Sequence, residues 1–184
     1  MRLVSARQAI SWAYDAQLGV SWEMTGAMPS KADNCGRIWN GLEKGRVIVA
    51  TETLPVAARA WALWCYTDEA GSAHEAAILD WLCDQIDQAP PVRLDGMGRL
   101  RRLLVVMHML MLDACHRERC GRHRYNSADL ARAAGVDRAQ FGPTRTWGAF
   151  RRCVEAHLER LIAESLAPVR AMIDRANDDH DLAA

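Results

Sequence analysis

The stretch LDGMGRLRRLLVVMHMLMLDACHRER, residues 94–119, decides the fold class. Within it, residues 103–112 are apolar except for His108. A helix that is apolar on nearly all sides belongs in the centre of a helical protein. A membrane span needs roughly 18 or more apolar residues in a row, so this run is too short to cross a bilayer. We therefore expect an all-α protein, a helical bundle built around this helix.

Most of the remaining chain also carries helical patterns. Pro55 is well placed to open a helix that runs to about Tyr66, because proline is favoured at the first helical position. Ser72 followed by Glu75 is a capping-box pattern that starts another helix. Residues 46–53 (RVIVATET) alone have β character. Since one strand cannot make a sheet, we expect an extended connector or a small hairpin there.

The net charge of zero hides a split along the chain. Residues 1–92 carry 7 basic and 11 acidic side chains, a net of −4, whereas residues 93–152 carry 13 and 5, a net of +8. Between them, residues 89–92 (APPV) interrupt the helical pattern. We therefore expect an acidic, Trp-rich region over 1–92 and a basic region over 93–184. Such a basic region predicts a polyanionic partner.

The clearest local motif runs from Ser127 to Phe141 and resembles a helix-turn-helix. Gly135 suits the turn, and Asp137 suits the N-cap of a second helix. The pair Gly142–Pro143 ends that second helix after about five residues, so the start of the next helix is an alternative groove-contacting element. An ordinary helical hairpin is the other interpretation. The candidate DNA-binding residues of this motif and of the start of the next helix are Arg138, Gln140, Arg145, Arg151 and Arg152.

A basic run, residues 115–124, directly precedes this motif. Its arginines suit contacts to DNA phosphates, which position a protein without specifying a sequence. The alternative is a solvated basic face that the acidic region neutralises. The candidate phosphate-binding residues are Arg117, Arg119, Arg122 and Arg124.

The same run offers a weak candidate zinc site, and no cofactor is expected. A structural zinc site needs four converging donors, but the usual paired CxxC spacing is absent here. The chain also lacks a Gly-rich phosphate loop, GxSxG and HExxH, so we expect no catalytic residues and no enzyme activity. Without a signal-peptide pattern, a cytoplasmic location is expected. The four weak zinc candidates are Cys115, His116, Cys120 and His123.

The order of these features resembles the Q-type transcription antitermination proteins of lambda-like phages and the related AlpA-like lysis regulators. The resemblance includes the Trp-rich segments SWAY (residues 11–14) and SWE (21–23) and the helical LPVAARAWALWCY (54–66). It continues through the basic helix-turn-helix pattern to FRRCVEAH (150–157). The best-known member carries paired CxxC zinc motifs, which this sequence lacks, so no zinc site follows from the resemblance.

The resemblance implies a set of partners and an activity. Such a protein binds double-stranded DNA beside a promoter, engages paused RNA polymerase with its σ factor, and travels with the enzyme past terminators. Nascent RNA is a further candidate partner, and no membrane partner is expected. The alternatives are a promoter-bound helix-turn-helix regulator without antitermination activity, and a helical adaptor that binds only protein.

Overall fold

A computed structural model describes residues 5–14, 44–67, 71–88 and 97–182 of the chain. No strand occurs within these ranges, and the predicted all-α class is confirmed. None of the helices they contain is both long enough and apolar enough to cross a membrane. The helices are α1 (Ala6–Tyr14), α2 (residues 44–52), α3 (Val56–Tyr66), α4 (Ser72–Gln88), α5 (Met97–Cys120), α6 (Ser127–Ala134), a 3₁₀ helix (Arg138–Phe141) and α7 (Thr146–Leu182).

The chain forms two compact units. One comprises Met1–His74 with Ala163–Ala184, and the other comprises Glu75–Ile162. In the first unit α1 packs against α3, whose apolar sequence buries most of its residues. The predicted boundary at residues 89–92 lies outside the described residues, so the division into regions 1–92 and 93–184 stays a prediction.

The second unit holds the basic region and has its own core. In this unit α5 packs against α6, and α6 packs against the 3₁₀ helix. Each helix contributes large apolar side chains that are fully buried, so the positions of the turns that join these helices are fixed by a packed interior. The core includes Ile78 and Leu82 of α4, Val106 and Met111 of α5, Leu130 of α6, and Phe150 and Leu158 of α7.

The expectation of an extended connector or hairpin at residues 46–53 is wrong. Residues 44–52 are helical, and the chain leaves the helix only at Thr53. Val47 and Thr51 are both fully buried, and the Thr51 hydroxyl donates to the Val47 carbonyl at 2.9 Å. Burial of one face therefore outweighs the modest preference of β-branched residues for strands.

Candidate nucleic-acid interface

The α5–α6 turn, residues 121–126, is attached to α5 by one buried carboxylate. Asp113 Oδ1 accepts hydrogen bonds from the backbone N–H groups of Arg124 at 2.5 Å and Tyr125 at 2.9 Å. Asp113 Oδ2 accepts from His123 Nδ1 at 2.8 Å, since an ionised carboxylate can only accept. Gly121 begins the turn with a φ of 70°, which favours glycine. The backbone that carries this part of the basic run is therefore held in one place.

The same contacts keep the Asp113 carboxyl ionised. Burial by itself raises the pKa of this group, but the hydrogen bonds from His123, Tyr125 and Arg124 together outweigh burial and hold the pKa below its usual value. Asp113 belongs to no sequence motif. The available signal is its position, an acidic residue directly after the apolar run 103–112.

The last turn of α5 and the α5–α6 turn together carry the arginines of the basic run. Arg119, Arg122 and Arg124 are exposed, and Arg117 is half-buried. The guanidinium of Arg124 lies 5.3 Å from the centre of the Tyr125 ring. Across the parts of the chain that the structure describes, no carboxylate pairs with Arg122 or Arg124. The charges of Arg122 and Arg124 are therefore available to an anionic partner.

Helix α6 has defined signals at both ends. Asn126 caps its N-terminus by accepting from the N–H groups of Ala128 and Asp129, and Asp129 accepts from Asn126 in return. At its C-terminus Gly135 has a φ of 64°, which is the left-handed conformation expected of a turn glycine. The guanidinium of Arg102, from α5, lies beside this glycine, 3.6 Å from where a side-chain carbon would stand.

The α6–α7 turn, residues 135–145, begins as the motif predicts and then departs from it. Asp137 accepts from the Ala139 N–H at 2.7 Å, so it caps the next helix as predicted. That helix is a 3₁₀ helix of only four residues, because Gly142 is extended and Pro143 has no N–H to continue the ladder. A second helix of this length is too short to span a DNA groove. Thr146 then begins α7.

Apolar packing and one close backbone contact fix the α6–α7 turn to α7. The ring of Phe141 stacks on that of Trp147 with centres 5.6 Å apart, and Trp147 meets Phe150 edge-on at 5.9 Å. Gly148 lies so close to Gly142 that an added side-chain carbon would overlap the Gly142 carbonyl group. Glycine at position 148 therefore allows the first turn of α7 to meet the chain that precedes it.

The side chains around the α6–α7 turn fall into two groups. The guanidinium of Arg151 is half-buried and tied down, since its Nε donates to Glu155 at 2.8 Å and its Nη1 donates to the Ser127 hydroxyl at 3.1 Å. Arg151 therefore joins α7 to the start of α6. The exposed predicted residues are Arg138, Gln140, Arg145 and Arg152.

The four weak zinc candidates do not come together. Cys115 is buried in α5 whereas Cys120 is exposed. His116 Nδ1 is hydrogen-bonded to the Arg122 carbonyl at 2.8 Å, and His123 Nδ1 is bonded to Asp113. Within the described ranges, no group of three or more His, Cys, Asp or Glu side chains is placed to hold a metal ion.

Comparison with known proteins gives a match to a protein family. The model of a family described as phage antitermination protein Q matches residues 45–182. This range contains both turns and every predicted DNA-binding residue. Neither a curated protein nor a solved structure matches the chain.

Proposed function

Because the chain belongs to the phage antitermination protein Q family, we propose that it binds promoter-proximal DNA, loads onto paused RNA polymerase and suppresses downstream terminators. The family supports a role in antitermination in general. The contacts with DNA, with polymerase and with its σ factor are the parts that we propose from the residues of this chain.

The exposed arginines on and beside the two turns that flank α6 carry the proposal of DNA binding. Both turns belong to the unit Glu75–Ile162, and both have defined backbone geometry. Arginine suits phosphate because its planar fork donates two hydrogen bonds to one anion. We propose that Arg117, Arg119, Arg122 and Arg124 contact phosphates, that Arg138, Gln140, Arg145 and Arg152 contact phosphates or bases, and that Arg151 positions α7.

The first turns of α7 are the stronger choice for the groove-contacting element. The 3₁₀ helix is too short for that role, whereas α7 begins directly after Arg145 and is continuous beyond Arg152. Arg152 shares a helix face with the small Ala149, three residues before it, and Arg145 directly precedes the helix. A face of this kind can approach a DNA groove closely.

The acidic region 1–92 is the candidate docking surface for polymerase or σ. Trp61 and Trp64 are buried in α3 and pack edge-on with ring centres 5.7 Å apart, so they belong to the core. Trp12 and Trp81 are half-buried and keep part of their rings accessible. Trp22 and Trp39 lie outside the described residues. Partly exposed tryptophans are common anchors of protein interfaces, which supports Trp12 and Trp81 as contacts.

In vitro transcription tests the proposal as a whole. The template carries the promoter region next to the gene for this protein and a terminator downstream, and read-through is measured with and without the protein. We expect read-through with the wild type and its loss with Arg145→Glu/Arg152→Glu. The matched control, Arg170→Glu/Arg175→Glu, reverses two exposed charges further along α7 and should keep read-through.

The outcomes separate the alternatives. Binding to the promoter duplex without any read-through would identify a promoter-bound regulator. Absence of DNA binding at low salt, where phosphate contacts are strongest, would favour an adaptor that binds only protein.

A further inference from the structure

Arg102 belongs to no motif in the sequence, yet the structure places its guanidinium beside Gly135, the first residue of the α6–α7 turn. It lies on α5, more than thirty residues before Gly135 in the chain. Its Cζ, Nη2 and Nε atoms stand 3.6, 3.7 and 3.8 Å from the point where a side-chain carbon of Gly135 would be. The guanidinium therefore covers the start of the turn, at a residue that has no side chain to displace it.

Two further arginines flank the same glycine. Arg132 precedes Gly135 by three residues at the end of α6, and Arg138 follows it by three at the start of the 3₁₀ helix. All three arginines are exposed. In the described part of the chain no carboxylate pairs with Arg102 or Arg138, and Arg132 has only Asp129 at 3.7 Å on its own helix. Three separate elements thus bring positive charge to one turn, and of the three arginines only Arg132 has a carboxylate partner among the described residues.

We propose that Arg102, with Arg132 and Arg138, forms a clamp for the phosphate backbone of duplex DNA at the α6–α7 turn. This inference rests on the proposed function and adds to it a residue from α5. The guanidinium of Arg102 lies against backbone, so it stays near the protein surface and contacts phosphate rather than a base edge. Contacts of this type fix the orientation of the duplex, which here would set how the first turns of α7 meet the groove.

A purely structural role for Arg102 gives a different expectation. The C-terminal end of a helix carries partial negative charge, and a cation beside it stabilises the helix by about 0.3–1 kcal/mol. If Arg102 served only α6, its removal would lower the melting temperature and leave the salt dependence of DNA binding unchanged. The two roles are therefore separated by measuring stability and binding on the same variant.

The chain offers a closely matched control in Arg101. Arg101 is the neighbouring residue on α5 and is also exposed, but successive helical residues point about 100° apart. Arg101→Ala and Arg102→Ala therefore each remove one positive charge from α5. The two variants differ only in the direction in which the removed side chain pointed. Arg102→Lys keeps the charge and removes the planar fork.

The experiment is a fluorescence anisotropy titration of the full chain with labelled promoter duplex over a series of salt concentrations. Each lost phosphate contact should reduce the slope of log affinity against log salt by roughly 0.9. We expect this reduction for Arg102→Ala, little change for Arg101→Ala, and most of the wild-type slope for Arg102→Lys.

Three results would overturn the clamp while leaving the proposed function intact. One is a steep wild-type slope that Arg102→Ala does not change, and another is an equal reduction for Arg101→Ala. The third is a reduction seen with single-stranded RNA of equal length but not with the duplex. A wild type without salt-dependent duplex binding would instead refute the proposed function.

Discussion

The α5–α6 turn and the α6–α7 turn both present arginines, but different forces hold them. The first is attached by hydrogen bonds to the buried Asp113 carboxylate. The second is attached by the stacked rings of Phe141 and Trp147 and by the close approach of Gly148 to Gly142. In each turn a separate set of contacts holds the backbone that carries the arginines. These contacts are electrostatic in the α5–α6 turn and steric in the α6–α7 turn. The two turns should therefore fail under different conditions.

The largest expected effect comes from a substitution that breaks the steric support of the α6–α7 turn. Gly148→Ala places a side-chain carbon on the Gly142 carbonyl group, so the backbone must move. Overpacking of this kind costs up to about 3 kcal/mol, and we expect a loss near that figure in the free energy of unfolding. Because no titrating group takes part, the loss should be the same at pH 4 and pH 7. Thermal and urea unfolding at both values measure it.

Gly45→Ala is the matched control for this prediction. Gly45 lies in α2 with nothing within 4 Å of its added carbon. Alanine is favoured over glycine within helices by roughly 1 kcal/mol, so Gly45→Ala should be neutral or stabilising. If Gly148→Ala unfolded like the wild type, the steric account of the α6–α7 turn would be wrong.

The second prediction breaks the electrostatic support. Asp113→Asn keeps the shape of the side chain but removes the charge that its three donors face. Hydrogen bonds to a charged group contribute about 1.5–3 kcal/mol, so we expect a loss of about 2 kcal/mol at pH 7. The N–H groups of Arg124 and Tyr125 should then exchange with solvent faster than in the wild type, which amide hydrogen exchange measures.

This loss should depend on pH in a definite direction. The pKa of Asp113 is lowered by folding, so its contribution to stability is present above the ordinary value of 3.8 and disappears as the pH falls through the folded value. The difference in the free energy of unfolding between wild type and Asp113→Asn should therefore disappear in acid. The control is Asp80→Asn, which removes an exposed carboxylate of α4. A stability difference between wild type and Asp113→Asn that stayed constant in acid would contradict the electrostatic account.

Sequence patterns predict the short-range features of these two turns. The Gly135 turn and the Asp137 cap follow from nearest neighbours in the chain, because a left-handed φ favours glycine and a cap needs a short polar side chain. The helical conformation of α5 likewise follows from its own composition. Its expected place at the centre of a bundle is wrong, because α5 buries one face and leaves Leu104 and Val105 exposed. Local propensity is enough to predict the conformation of a residue that interacts mainly with residues three or four positions away.

The supports of the turns could not be predicted in the same way. The bonds from Asp113 span 10 to 12 residues, and Arg102 reaches Gly135 across more than thirty. Residues 46–53 have strand-like composition, yet the burial of Val47 makes them helical. Such contacts depend on which helices pack together, and this is information that the spacing of residues along one chain does not contain.

The smallest effect on stability, and the sharpest test of the surface, comes from two adjacent arginines. Arg151→Ala loses the hydrogen bonds to Glu155 and to the Ser127 hydroxyl, and with them the link from α7 to α6. A partly buried pair of this kind is worth about 1 kcal/mol. Arg152 is exposed and has no such link, so Arg152→Ala should change the free energy of unfolding by less than about 0.5 kcal/mol.

DNA binding should rank the same two variants in the opposite order. If Arg152 contacts a phosphate, Arg152→Ala reduces the slope of log affinity against log salt by about 1 and weakens binding to every duplex similarly. Arg151→Ala should leave that slope close to the wild-type value, because its guanidinium is already occupied by α6 and Glu155. If both variants had the same slope of log affinity against log salt, the partial burial of Arg151 between α6 and α7 would not decide which of the two arginines contacts DNA. A reduced slope for Arg151→Ala alone would place the DNA on the side of α7 that faces α6, and would require the bonds to Ser127 and Glu155 to open on binding.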